Sequence, residues 1–175
     1  MTSILPSRLE LVLGGARSGK SRLAEERAKA SGRQLYYVAT ATADDQEMAA
    51  RIHHHQQRRG AAWHLLEAPV KLADTLLTYH RHDRCLLVDC LTLWLSNCLH
   101  QQCWDKERDA LLKALPQLTG QVVFVSNEVG SGIVPLGALS RQFADESGFL
   151  HQQLAHICQR VTLTVAGLPL ELKSL

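Results

Sequence analysis

The 175-residue chain has no strong charge of either sign: 19 basic and 17 acidic residues leave a formal net charge of +2. That imbalance is too small to argue for nucleic acid or an anionic membrane as partner. The basic residues are scattered, apart from the pair Arg58-Arg59. No apolar run approaches the ~20 residues of a membrane span. Residues 1–7 hold no signal-peptide core and read as a loose tail, and the next apolar run is short and carries Glu10. A cytoplasmic location is therefore expected. The five cysteines, an odd number, include no C-x-x-C, so neither a disulfide framework nor a zinc site is indicated. Most read as small buried apolar residues or inert thiols. Internal repeats and low-complexity segments are absent. What remains is ordinary for a globular protein, 46% hydrophobic and 21% charged, and residues 1–175 fit a single domain.

Against this plain background one stretch stands out. Gly14-Gly15-Ala16-Arg17-Ser18-Gly19-Lys20-Ser21 reads G-x-x-x-x-G-K-S, the Walker A pattern. An apolar run, Leu9 to Leu13, precedes it, and a helix-periodic segment, Arg22 to Ser31, follows. Strand, glycine loop and helix are the context that the motif needs. The loop's N–H groups and the helix's positive end cradle phosphate. Lys20 is placed to reach the β- and γ-phosphates of a nucleoside triphosphate, and the Ser21 hydroxyl to ligate Mg²⁺. The motif identifies the nucleotide and leaves the reaction open.

Further strands alternate with helices. Leu35 to Ala39 is a buried strand with Thr40, Ala41 and Thr42 as its exit loop, a candidate site because ligands gather at the carboxyl ends of strands. Asp44-Asp45 caps a helix from Gln46 to about Arg59, in which His54 faces away from the Met48–Ile52 stripe. Trp63 to Glu67 is a short strand or connector, and Pro69 opens a helix through about Tyr79. Cys85 to Asp89 has the Walker B form, which sets Asp89 near Mg²⁺; the alternative is a cap on the helix starting at Leu91. Asp105 caps a helix to about Leu118, and the strand Gln121 to Ser126 leads into Asn127-Glu128-Val129-Gly130-Ser131-Gly132-Ile133-Val134-Pro135. A helix over about 137–159, bent near Gly148, precedes the strand Arg160 to Val165 and a tail from Ala166. The pattern predicts an α/β phosphate-loop nucleotide-binding fold, a mostly parallel sheet flanked by helices.

Together these residues resemble the family of bifunctional adenosylcobinamide kinase / adenosylcobinamide-phosphate guanylyltransferases. The resemblance rests on Gly14 to Ser21, Tyr37-Val38-Ala39-Thr40, Glu47 to Ile52 with the histidines after it, Trp63, Glu67, Leu87 to Cys90 and Asn127 to Pro135. It implies phosphorylation of the aminopropanol hydroxyl of adenosylcobinamide by ATP or GTP, then transfer of GMP from GTP to that phosphate. It implies a covalent GMP-histidine, which falls on His54, and Glu67 and Asp89 within the nucleotide site. It also implies a homotrimer with sites at subunit boundaries. The local chemistry agrees: a neutral imidazole, with an ordinary pKa of ~6.5, is a competent nucleophile at phosphorus. Arg51, Arg58 or Arg59 can stabilise charge on the α-phosphate. Two other readings remain open from the residues themselves. One is a simple kinase using Lys20, Ser21 and Asp89. The other is a GTP-dependent switch, against which the post-strand loop has Asn127-Glu128-Val129-Gly130 in place of N-K-x-D.

Overall fold

The computed structural model describes residues 8–42 and 62–174. Three of its strands are continuous buried runs: β1 (Leu9–Gly14), β4 (Arg84–Asp89) and β5 (Gln121–Asn127). Buried parallel strands carry apolar residues on both faces, and these do. They sit in the middle of a seven-stranded sheet that also contains β2 (Gln34–Ala39), β3 (Trp63–Glu67), β6 (Arg160–Val165) and β7 (Leu168–Ser174). The order is β3-β2-β4-β5-β1-β6-β7; every pairing is parallel except β6 with β7.

Side-chain alternation divides the core in two. On one face Leu9, Leu11, Leu13, Leu86, Val88, Val122 and Phe124 pack against α2 (Leu72–Tyr79), α3 (Leu91–His100), α4 (Trp104–Ala114) and α5 (Ala138–Ile157). On the other, Val12, Leu87, Val123 and Val125 meet Ala24 and Ala28 of α1 (Lys20–Ala30). The chain leaves β1 into α1 on one face and leaves β5 toward α5 on the other. A crevice therefore opens at the carboxyl ends of β1 and β5, where open α/β sheets bind ligands.

Several expectations are corrected. The helix after Pro69 begins at Leu72, because the Pro69 and Val70 carbonyls accept side-chain hydrogen bonds from Asn97 and Trp94 of α3. Asp105 is not a cap: Cys103 holds that position, and the Asp105 carboxylate pairs with Arg108 at 3.0 Å. Helix α4 ends at Ala114 and passes into a 3₁₀ turn, Leu115–Gln117, that contains Pro116. The segment after Ala166 is the strand β7, entered by a two-residue turn with Ala166 and Gly167 both at positive φ. All five cysteines are free thiols, and all but Cys103 are buried. The helix expected over 46–59, with Arg51, His54, Arg58 and Arg59, and the tail at 1–7 lie outside the described residues.

Candidate functional site

The phosphate loop joins β1 to α1 within a tight backbone frame. Gly14 can only be glycine: a Cβ there would lie 2.7 Å from the Thr164 carbonyl oxygen of β6 and 2.3 Å from Ser18 Oγ. Gly19 caps α1 in the left-handed region, at φ 95°, so the chain turns sharply into the helix. Neighbouring strands lock the loop from both sides. The Glu128 N–H donates to the Gly14 carbonyl at 3.0 Å, and the Gly167 N–H donates to the Ser18 carbonyl at 2.8 Å. Lys20 Nζ donates to the Gly15 carbonyl at 3.1 Å, which folds the ammonium back over the loop. Ser21 follows in the first turn of α1, half-buried. Loop N–H groups, helix N-terminus and ammonium thus gather at one turn, an arrangement of the kind that binds phosphate.

Asp89 ends β4, two strand spacings from β1, about 10 Å across the sheet. Cys90, not Asp89, occupies the N-cap position of α3, and no side-chain cap bond is made there. Among the described residues no hydrogen bond or ion pair engages the Asp89 carboxylate. The capping alternative therefore has no support, and the carboxylate is available to a cation. Among the described residues no cluster of three or more metal-ligating side chains exists. Mg²⁺ binds through one or two protein oxygens and the phosphates of its nucleotide; Ser21 and Asp89 are oxygen donors of that kind.

Thr40, Ala41, Thr42 and Glu67 lie along the same edge. Ala39 is level with Asp89 on one side and Glu67 on the other, so the ends of β4, β2 and β3 form a row. The Thr40 hydroxyl is buried and spent on the Cys90 peptide, accepting from its N–H at 2.9 Å and donating to its carbonyl at 2.7 Å. Ala41 and Thr42 follow, half-buried. Glu67 is exposed at the end of the edge strand β3, with β2, β4 and β5 between it and β1, roughly 20 Å from the phosphate loop.

One group at the edge escaped sequence reading. His151 Nε2 of α5 lies 2.8 Å from Ser126 Oγ, which lies 3.3 Å from Thr92 Oγ1 of α3. The Thr92 oxygen accepts the Asn127 N–H at 2.8 Å. These three side chains brace the end of β5 where it meets Gly14. Burial lowers the His151 pKa, partly offset by Glu128, which favours the neutral ring. Glu128 is held as carboxylate by hydrogen bonds from Ser131 Oγ, at 2.5 Å, and from the Gly130 N–H, at 2.8 Å. The only sequence signal for His151 is its place on the inward stripe of α5, between Ser147 and Leu154.

Comparison with known proteins decides what the site belongs to. Residues 10–172 match the family model described as cobinamide kinase / cobinamide phosphate guanyltransferase. The chain belongs to that family. It is accordingly an enzyme, a bifunctional kinase and guanylyltransferase of the cobinamide class. It is 57% identical over 167 residues to the bifunctional adenosylcobalamin biosynthesis protein CobP of Pseudomonas aeruginosa, covering 94% of this chain and 96% of that one. It is 38% identical over 180 residues to CobU of Salmonella typhimurium, covering 93% and 98%. Among solved structures, the RadB recombinase superposes with a TM-score of 0.52 at 17% identity, covering 89% of this chain and 73% of that one. FlaH from Methanocaldococcus jannaschii superposes with 0.53 at 11% identity, covering 97% and 80%. At such identities the likeness concerns the fold alone, that of the phosphate-loop nucleotide-binding proteins.

Proposed function

We propose that this cobinamide-family enzyme catalyses two successive transfers at the crevice beside β1. In the first, the aminopropanol hydroxyl of adenosylcobinamide attacks the γ-phosphorus of ATP or GTP. The bond to the β,γ-bridging oxygen breaks, and the nucleoside diphosphate leaves with that electron pair. In the second, a ring nitrogen of His54 attacks the α-phosphorus of GTP and pyrophosphate leaves. A phosphate oxygen of adenosylcobinamide phosphate then displaces the histidine, giving adenosylcobinamide-GDP. The observation that carries this reading is the phosphate loop of β1–α1 within a chain of this family.

In this mechanism Lys20 balances charge on the β- and γ-phosphates, and the residues from Gly14 to Ser21 hold them by their N–H groups. Ser21 and Asp89 would hold Mg²⁺, which supplies neutralisation of the phosphate oxygens. Ala41, Thr42 and Glu67 line the route of the nucleoside, Thr40 holds their loop through its bonds to Cys90, and Arg58 and Arg59 act at the α-phosphate. The assembly we propose is a cytoplasmic homotrimer, the segment around His54 meeting a neighbour's phosphate loop.

The test is incubation with GTP labelled on the α-phosphate, followed by denaturation. A phosphoramidate to imidazole is labile in acid and comparatively stable in base, unlike a serine phosphoester. We expect label that is lost in mild acid and kept in alkali, and none in His54→Ala, while His53→Ala and His55→Ala still label. Full labelling of His54→Ala would overturn the assignment.

A further inference from the structure

A cavity of about 520 Å³ opens between α3, α5 and the loop 128–137. Its walls include Ser96, Leu99, His100, Leu139, Ser140 and Phe143. Helix α3 stays at the carboxyl edge of the sheet, because Asn97 Nδ2 donates to the carbonyls of Thr40 and Pro69, just beyond β2 and β3. Val129 contributes to the loop wall and follows Glu128, whose N–H is bonded to the Gly14 carbonyl. The loop wall of the cavity is thus tied by its backbone to the phosphate loop, on the β5 side of β1.

The chemistry of the lining selects an occupant. No Lys, Arg, Asp or Glu is among the lining residues, so nothing there balances a phosphate or grips a cation. The lining is instead apolar surface interrupted by hydroxyls, an imidazole and the Gln102 amide. Beside the cavity the same chain segment exposes Ile133, Val134 and Leu136, at 97%, 73% and 98%. A large molecule whose periphery is uncharged, partly apolar and set with hydrogen-bonding groups fits both surfaces. A corrin ring with its methyl groups and neutral amide arms has that character, and it exceeds what the cavity alone can hold.

We propose that this cavity and the apolar loop beside it seat the corrinoid acceptor, with its aminopropanol arm directed to the phosphate loop. This rests on the cobinamide reading given above. The Leu139→Trp and Ser96→Trp variants narrow the cavity from α5 and α3 without touching the phosphate loop. Equilibrium dialysis with adenosylcobinamide, read by its visible absorbance, and with ATP measures the two affinities separately. Light scattering follows the mass of the assembly, and melting curves check folding. Both variants are expected to bind adenosylcobinamide at least about tenfold more weakly, with a matching rise in its KM. ATP affinity and labelling by GTP are expected to stay at wild-type levels. Unchanged corrinoid affinity in both variants would overturn the proposal. So would a change of assembly mass, which would make this face a contact between copies of the chain. Failure of the wild-type enzyme to bind or phosphorylate adenosylcobinamide would overturn the cobinamide reading itself, and it is seen before any variant is made.

Discussion

Single residues at the carboxyl edge differ in how firmly the fold commits them. Thr40 is tied at its hydroxyl to Cys90, whereas no hydrogen bond or ion pair from the described residues engages Asp89. Asp89→Asn keeps the shape and removes the charge. The Mg²⁺ concentration for half-maximal kinase activity is expected to rise by about tenfold or more, while metal-free nucleotide binding barely changes. Titration of activity against Mg²⁺ measures this, and an unaltered profile would remove the metal role. Gly14 is committed by space. Ser18 can rotate away from a new methyl group, but the Thr164 carbonyl belongs to β6 and cannot. Gly14→Ala is therefore expected to cost about 1–3 kcal/mol through overpacking and to displace the loop. Thermal melting together with nucleotide dialysis reads both effects; wild-type values of each would contradict the close approach. Gly14 was legible in the sequence because the Walker A motif is contiguous and its geometry local, and Asp89 because it ends a buried apolar run. The His151–Ser126–Thr92 group was not, since three distant segments meet only when α3 and α5 pack beside β5.

Among the elements, α1 is pinned by one side chain. Arg27 pairs with Glu10 of β1 at 3.2 Å, donates to Thr162 of β6 at 2.7 Å, and bonds Glu171 of β7. Glu10 is only 2% exposed. Burial, the largest influence, raises its pKa above the ordinary value, against the pull of Arg27 and then Arg160. Arg27→Met strands that carboxyl, and breaking a buried pair costs about 3–5 kcal/mol. Without Arg27 the Glu10 pKa climbs further. The folded state then keeps a proton that the unfolded chain releases, so stability falls as pH rises from the ordinary value of 4.5 through the raised one. The deficit of Arg27→Met against wild type is expected to grow across that window and to shrink as pH falls back toward its lower end. Melting temperatures measured from pH 5 to 8 check it, and a deficit independent of pH would mean that Glu10 stays charged. None of this clamp was visible beforehand, because Glu171 lay in a segment read as a tail. The alternation of Leu168, Leu170 and Leu172 with Glu171 and Lys173 was present, but Pro169 argues against a strand. Pairing with β6 at the sheet edge, where a missing N–H is tolerated, makes it one.

For the molecule as a whole, alternating apolar runs and helical stretches made the layered α/β class legible. The strand order was not, since β1 lies between β5 and β6 through pairings more than a hundred residues apart. Assembly is a question at this scale too, and subunit mixing tests the proposed trimer. If His54 of one subunit serves the phosphate loop of the next, Lys20→Ala and His54→Ala lie in different halves of a shared site. Each variant alone has no intact site. In trimers formed by co-expressing the two, a Lys20→Ala subunit supplies His54 to a His54→Ala neighbour that supplies Lys20. With random mixing of equal amounts in a closed ring, about a quarter of the sites regain both groups. Mixed assemblies, purified through a different tag on each variant, are therefore expected to recover guanylyl transfer that neither parent shows. Mixing the parents after folding, without subunit exchange, recovers none. A light-scattering mass other than three times the 19.4 kDa chain would remove the trimer. Inactive mixed trimers would place His54 and Lys20 of each site within one subunit.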